Sequence, residues 1–380
     1  MIEKNTALYT AAKARFDYYG VKPDEKVLIV ADSGTYEPLT NAVHKAAVTT
    51  GADVTLMTIK ARRQPWNWEI PALLEHAIYN ADFTFTLLSG RWYYNASSMR
   101  VQGHMHKTGK RMGSWEGRKE AAGHFVALLP GDRDVNERTR IVGKLLGEAK
   151  IIRITSRDGT RLVFERGDPE KQRMLTMPGQ TNYSPLSIES RMAIAKGEHP
   201  PVHEVAQGTL MLKGAHRTRC PGPEGHGSLV HKPVHIEIDR GRIASISRDT
   251  EQGIFLDDWF RSWEDPAVYY IDHLNIGVDH RIRLDYLDNL AVHYDYGGML
   301  MGFGISFSSF RGDPGVFRAN AHIELHLTGA TLFIDERPIM VDGEFTRESG
   351  MRAPNRRPGT GSAWQEVEGH VLPAPPTFDD

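Results

Sequence analysis

Apolar positions recur at helical spacing over residues 6–19 (TALYTAAKARFDYY), and the pattern predicts a helix there. A turn follows at Val21-Lys22-Pro23-Asp24-Glu25, then the unbroken apolar run Val27-Leu28-Ile29-Val30-Ala31, which reads as a buried strand. A second helical pattern covers 36–51 and stops at Gly51, and 52–57 reads as another strand. Strand, helix and strand with short connections predict a parallel α/β layer. The alternation continues with a helix near 70–80, a strand at Phe83–Leu88 and a helix near 135–149.

The pattern changes after about residue 150. Ile151–Thr155 and Arg161–Glu165 flank Asp158-Gly159, a hairpin signal. His235–Asp239 and Arg242–Ser247 flank Arg240-Gly241 in the same way, and Thr331–Asp335 with Pro338–Val341 suggests a third hairpin. The expected architecture is an α/β N-terminal domain with a parallel sheet (1–150), then a strand-rich, antiparallel α+β domain (151–343). Residues 344–380 are rich in Pro, Gly, Arg and acidic residues and read as a tail that is disordered or wraps over a neighbour.

Composition narrows the function classes. The formal net charge is −2 over 380 residues with both signs mixed, so nothing points to nucleic acid or an anionic membrane. The single cysteine, Cys220, permits neither an intrachain disulfide nor a thiolate metal cage. Without a leader pattern or a membrane-length apolar run, a cytoplasmic protein is expected. Seventeen histidines raise the prior for a metal site without locating it.

The most informative stretch is Ala321-His322-Ile323-Glu324-Leu325-His326-Leu327-Thr328. On a strand, His322, Glu324, His326 and Thr328 share one face, so side chains at i and i+2 can converge on one ion. Upstream, Asp272-His273-Leu274-Asn275-Ile276-Gly277 offers His273 as a third ligand. Two histidines and a carboxylate on one side of a metal leave open positions, as in non-haem Fe(II) oxygenases. The plainer reading is a solvated strand face, and His235-Ile236-Glu237-Ile238 repeats the pattern in a hairpin where solvent exposure is expected. The pattern alone leaves both readings open.

A resemblance separates them. Along roughly 15–345 the chain resembles the aminopeptidase T (M29 aminopeptidase) family. GVKPDEKVLIVADSGTYEPLTNAVHKAAVTTGADV is similar to that family's first α/β unit, and MPGQTNYSPLSIES to its Pro-Gly-Gly-Glu-Val loop. HLNIGVD is similar to its Glu-x-Gly-Ile-Gly loop, and AHIELHLTGATLFIDERPIMVDGEF to its terminal His-x-Asp strand and hairpin. The departures matter. The first acidic position falls on Thr181, the second on His273, and the last motif has Glu324 for Asp. Losing carboxylates removes charge needed to hold two divalent cations, and gaining an imidazole favours one borderline metal. A branch of the same fold, the 2,5-dihydroxypyridine 5,6-dioxygenases, makes a similar change. That resemblance implies one Fe(II) per chain on His273, His322 and Glu324, with Glu324 longer than the family's Asp by one methylene.

It further implies an O₂-dependent cleavage of a hydroxylated N-heterocycle such as 2,5-dihydroxypyridine, giving N-formylmaleamate, in a homo-oligomeric enzyme. Such chemistry needs a proton acceptor, and imidazole suits the task. Gly103-His104-Met105-His106, expected in a loop, supplies two candidates, with His104 preferred to His106; the alternative is a pair of surface histidines on a basic loop. Glu189, Ser190 and Thr181 are candidate substrate contacts, and His326 either supports the ligands or points to solvent. The Phe303–Phe310 run reads as core or pocket lining, and Gly302, Gly304 and Gly312 lack the spacing of a phosphate loop. Two rivals stand beside this reading: a metal-dependent aminopeptidase or amidohydrolase of the same fold, and a non-enzymatic binder that has lost the metal.

Overall fold

The computed structural model describes residues 2–61, 69–89, 96–165, 174–177, 189–193, 206–218, 227–279, 281, 296–304, 319 and 321–351. For some of these, His106, Glu189, Ser190 and His273 among them, only the backbone is described.

The chain opens with α1 (Ile2–Tyr19), β1 (Lys26–Asp32), α2 (Glu37–Val48), β2 (Asp53–Ile59), α3 (Ala72–Asn80), β3 (Phe83–Leu88), α4 (Ala96–Lys107) and β4 (Arg111–Glu116). The four strands form one parallel sheet in the order β2-β1-β3-β4. Parallel strands covered by helices are buried on both faces, which is why β1 reads as a continuous apolar run and every residue of β3, Thr84 and Thr86 included, is buried. Alternation in β1 serves two cores. Val27 and Ile29 join Phe16 of α1, Val43 of α2 and Phe83 and Phe85 of β3. Leu28 and Val30 face the other way, toward Leu74 and Ile78 of α3 and Val101 and Met105 of α4.

Two helices, α5 (Ala122–Ala127) and α6 (Arg133–Glu148), lead out of this layer. The Asp132 carboxylate caps α6 by accepting from Val135 N at 2.9 Å. The second core cluster runs without a break through Val142 and Leu146 of α6 into the strands of the second sheet.

Those strands are β5 (Ile151–Ser156), β6 (Arg161–Glu165), β7 (Met174–Met177), β8 (Glu189–Ala193), β9 (Ala206–Thr218), β10 (Gly227–Asp239) and β11 (Arg242–Ile246). After α7 (Glu251–Ser262) come β12 (Ile271–Ile276), β13 (Met299–Gly304), β14 (His322–Leu327), β15 (Ala330–Ile334), β16 (Arg337–Val341) and β17 (Glu344–Phe345). Among the described residues they make a thirteen-stranded sheet ordered β17-β16-β15-β5-β6-β9-β14-β13-β12-β8-β7, with β10 and β11 branching from β9. All three expected hairpins are present, as β5–β6, β10–β11 and β15–β16, each antiparallel.

Two expectations differ from what is observed. The segment 103–106 lies inside α4, not in a loop: Val101 and Met105, one turn apart, are both buried against the core, and that contact outweighs the helix-breaking tendency of Gly103. The segment expected to begin as a tail at 344 first adds β17 to β16 and then buries Met351; residues 352–380 lie outside the described residues. No described helix is long and apolar enough to cross a membrane.

Candidate active site

Three neighbouring strands build the site. In β14 every residue from His322 to Leu327 is buried. Ile323, Leu325 and Leu327 enter the main core with Met299, Met301 and Phe303 of β13 and Leu274 and Ile276 of β12. Phe303 packs edge-on against Phe260 of α7, so this is the core face. The opposite face of the same strands is polar yet equally enclosed: His322 is 0% exposed, Glu324 1% and His326 3%.

The sequence twin in β10 behaves otherwise. His235 and Glu237 pair at 2.6 Å with side chains 48% and 40% exposed. The two His-Ile-Glu segments thus share a pattern and differ in burial. Ions and imidazoles are taken out of water only where something compensates them.

The register aligns the polar face. His273 of β12 lies opposite Gly302 of β13, and Gly302 lies opposite Glu324 of β14. Gly304 lies opposite His322, and Leu300 separates Asn275 from His326. Directly opposed residues share a face, so positions 273, 275, 322, 324 and 326 belong to one side of the sheet. The two glycines put no side chain between the rows. Gly304 has a further reason to be glycine, since its φ is +94° and a Cβ there would stand 2.0 Å from the Ala321 carbonyl oxygen.

His322 Nε2 and Glu324 Oε1 are 3.6 Å apart. That is too long for a hydrogen bond and close to the roughly 3.0–3.5 Å between two donors that each sit about 2.1 Å from one ion. An enclosed imidazole and carboxylate facing one another across this gap fit a metal ion. Among the described residues no third metal-type side chain completes a cluster; the backbone of His273 occupies the row of Glu324.

Of the expected substrate contacts, His326 lies buried on the polar face. The β8 register, with Ala193 opposite His273 and Arg191 opposite Asn275, puts position 189 on that face and position 190 on the core side. Thr181 lies outside the described residues. Of the two candidate bases, His106 is described by its backbone in α4 only, while the His104 ring packs on Tyr79 of α3 with centroids 4.1 Å apart. Tyr79 in turn donates its hydroxyl proton to Glu75 at 2.5 Å, and Arg100 grips the same carboxylate through Nε and Nη2 at 3.0 and 2.9 Å. These donors, Arg100 foremost, hold the Glu75 carboxyl down at about 2. No hydrogen bond among the described residues joins His104 to β14.

Sequence reasoning missed Asn275, Gly302 and Gly304 as parts of this face. The period-two argument applied to His322–Thr328 would have found Asn275 when applied to Asp272–Ile276, since 273 and 275 must share a side.

The family model of NicX, 2,5-dihydroxypyridine 5,6-dioxygenase, matches residues 7–347. The chain belongs to that family. No curated protein sequence matches it. Among solved structures it is similar to 2,5-dihydroxypyridine dioxygenase from Pseudomonas putida KT2440 (TM-score 0.71, 18% identity, 92% of this chain and 98% of that one). It is also similar to wild-type AmpT from Thermus thermophilus (TM-score 0.58, 12% identity, 90% and 99%). At these identities both structures speak for the fold, and the expected aminopeptidase-T-like fold is borne out. The dioxygenase family membership makes the chain a ring-cleaving dioxygenase and does not favour the hydrolase alternative.

Proposed function

We propose that this chain is an Fe(II)-dependent dioxygenase that opens a hydroxylated N-heterocycle such as 2,5-dihydroxypyridine to N-formylmaleamate, with one iron per chain on His273, His322 and Glu324. One observation carries the proposal: the His322–Glu324 pair is enclosed, its atoms 3.6 Å apart on the face where Gly302 and Gly304 lie opposite, whereas its sequence twin His235–Glu237 lies in solvent.

His273, His322 and Glu324 would hold the iron, which would supply the redox chemistry between substrate and O₂. The chain's residues do the rest. One carboxylate among the three ligands would leave a divalent ion's charge partly uncancelled, which would favour loss of the proton from a ring hydroxyl beside it. His104, braced on Tyr79, takes that proton and returns it as product forms, with His106 as the alternative acceptor. Glu189, Thr181 and His326 are the proposed substrate contacts; Ser190, on the core side of β8, is set aside. The overall change balances: the C5–C6 bond breaks, each carbon gains one oxygen atom of O₂, and a carboxylic acid and an N-formyl group result. The proposal includes a cytoplasmic location and a homo-oligomeric state, the second of which light scattering on the purified protein reads.

The test combines metal analysis of anaerobically prepared protein with an oxygen electrode. The expected result is iron near one per chain and O₂ uptake on adding 2,5-dihydroxypyridine, with both lost in His322→Ala and Glu324→Ala. Two zinc ions per chain and no O₂ uptake would overturn it.

A further inference from the structure

Asn275 follows His273 by two residues on β12 and shares its face of the sheet. The residue is 2% exposed, and among the described residues neither Nδ2 nor Oδ1 has a hydrogen-bond partner. A carboxamide brings two donors and an acceptor. Buried groups of this kind are almost always satisfied, so an orphaned one calls for a reason. The neighbours of Asn275 on β12, Leu274 and Ile276, point into the core, where an apolar residue would serve. Asn275 instead belongs to the row of Leu300 and His326, next to the row of His273, Gly302 and Glu324. It stands one strand repeat, about 7 Å, from position 273. That step is comparable with the distance across a six-membered ring between para substituents.

We infer that Asn275 reads the lactam edge of the substrate ring, an inference that rests on the hydroxypyridine reading above. A 2-hydroxypyridine in its lactam form presents a ring N–H next to a C=O. A carboxamide presents an acceptor next to a donor. The two match as parallel hydrogen bonds, with Oδ1 accepting from the ring N–H and Nδ2 donating to the carbonyl, while the hydroxyl para to that carbonyl is directed toward the metal ligands. Leu300, which puts no polar atom in the row, lies between Asn275 and His326. Asn275 is therefore a specificity residue for a nitrogen heterocycle over a benzenediol, because the carbocycle has no N–H to satisfy Oδ1.

The test uses iron-loaded, anaerobic enzyme as wild type, Asn275→Leu and Asn275→Asp, with 2-pyridone and N-methyl-2-pyridone as calorimetric probes and 2,5-dihydroxypyridine as substrate. Wild type should bind 2-pyridone at least tenfold more tightly than its N-methyl derivative. Asn275→Leu should bind the two alike and raise KM at least tenfold with a smaller change in kcat. Asn275→Asp keeps an acceptor for the ring N–H and should retain part of the discrimination; it also carries the test if Asn275→Leu does not fold. The melting temperature of ligand-free Asn275→Leu should equal or exceed that of wild type, since leucine removes an orphaned amide; a merely structural asparagine would lower it. Unchanged discrimination and KM in both variants, in an enzyme that turns over 2,5-dihydroxypyridine, overturn this inference alone. A wild type that binds neither pyridone nor 2,5-dihydroxypyridine overturns the substrate reading and this inference with it.

Discussion

His235-Ile236-Glu237 and His322-Ile323-Glu324 are the same three residue types, and burial separates them. Local pattern carries the alternation but not the depth of a strand in its sheet, so the sequence left that choice open until resemblance to a family decided it. The contrast yields a matched prediction. His235→Ala and Glu237→Ala should change stability by no more than about 1 kcal/mol, as expected of an exposed ion pair, and leave metal content at the wild-type level. A loss of metal in those variants, measured beside His322→Ala and Glu324→Ala, would break the link between burial and ligation. Gly304 makes a sharper prediction about backbone. At φ +94°, with the Ala321 carbonyl 2.0 Å from any added Cβ, alanine must move the strand that carries His322. Gly304→Ala should cost at least about 1–3 kcal/mol from backbone strain alone. Urea unfolding checks the cost, and a lowered metal affinity would report the shift at His322.

At the scale of elements, what the sequence disclosed was whatever depends on neighbours in the chain. The β1-α2-β2 unit and three hairpins derive from period and turn residues, and all are present. What it hid depends on partners far along the chain. Gly103 and the surrounding basic residues look like a loop until the core that receives Val101 and Met105 is in place. The lateral row 273–302–324 joins three separated segments and is fixed only by sheet order. The lock between α3 and α4 is of the same kind: Glu75 and Tyr79 on one helix meet Arg100 and His104 on the next. Its pH dependence has a definite sign. The Glu75 carboxyl is held at about 2 when folded, against 4.5 as the ordinary value. A depressed folded pKa contributes stability that is whole above the unfolded pKa and fades as pH falls through the folded one. Thermal melts of wild type and Glu75→Gln should therefore differ at pH 7 and converge as pH drops from about 4.5 toward 2. The Arg100 partner is half-exposed, so the difference should also shrink with added salt. A gap that persists at pH 2 would assign the lock to packing instead of charge.

Across the whole molecule, the site depends on a junction between the two sheets. The core that begins at Leu28 and Val30 passes through α6 and ends beneath β12–β14, so the parallel layer and the antiparallel sheet are packed as neighbours. At the end of β12 the chain is clasped to the start of α6. Asp279, 0% exposed, accepts from Arg281 at Nε (2.9 Å) and Nη2 (2.7 Å). Arg281 Nη1 donates to the Leu129 carbonyl at 3.1 Å and lies 3.5 Å from Asp132, the α6 cap. Arg138 of α6 donates to the Val278 carbonyl at 2.9 Å. Breaking a buried ion pair by removing one partner leaves the other charge uncompensated and costs roughly 3–5 kcal/mol. Asp279→Ala should fall in that range by urea unfolding, whereas Asp342→Ala, which removes the partner of the exposed Arg157, should cost no more than about 1 kcal/mol. The effect should be directional as well. Since β12 carries His273 and Asn275 and runs directly into this clasp, hydrogen exchange in Asp279→Ala should quicken in β12 before β15 and β16, and metal affinity should fall with it. Uniform loosening of the whole sheet would show that the clasp supports global stability without governing the site.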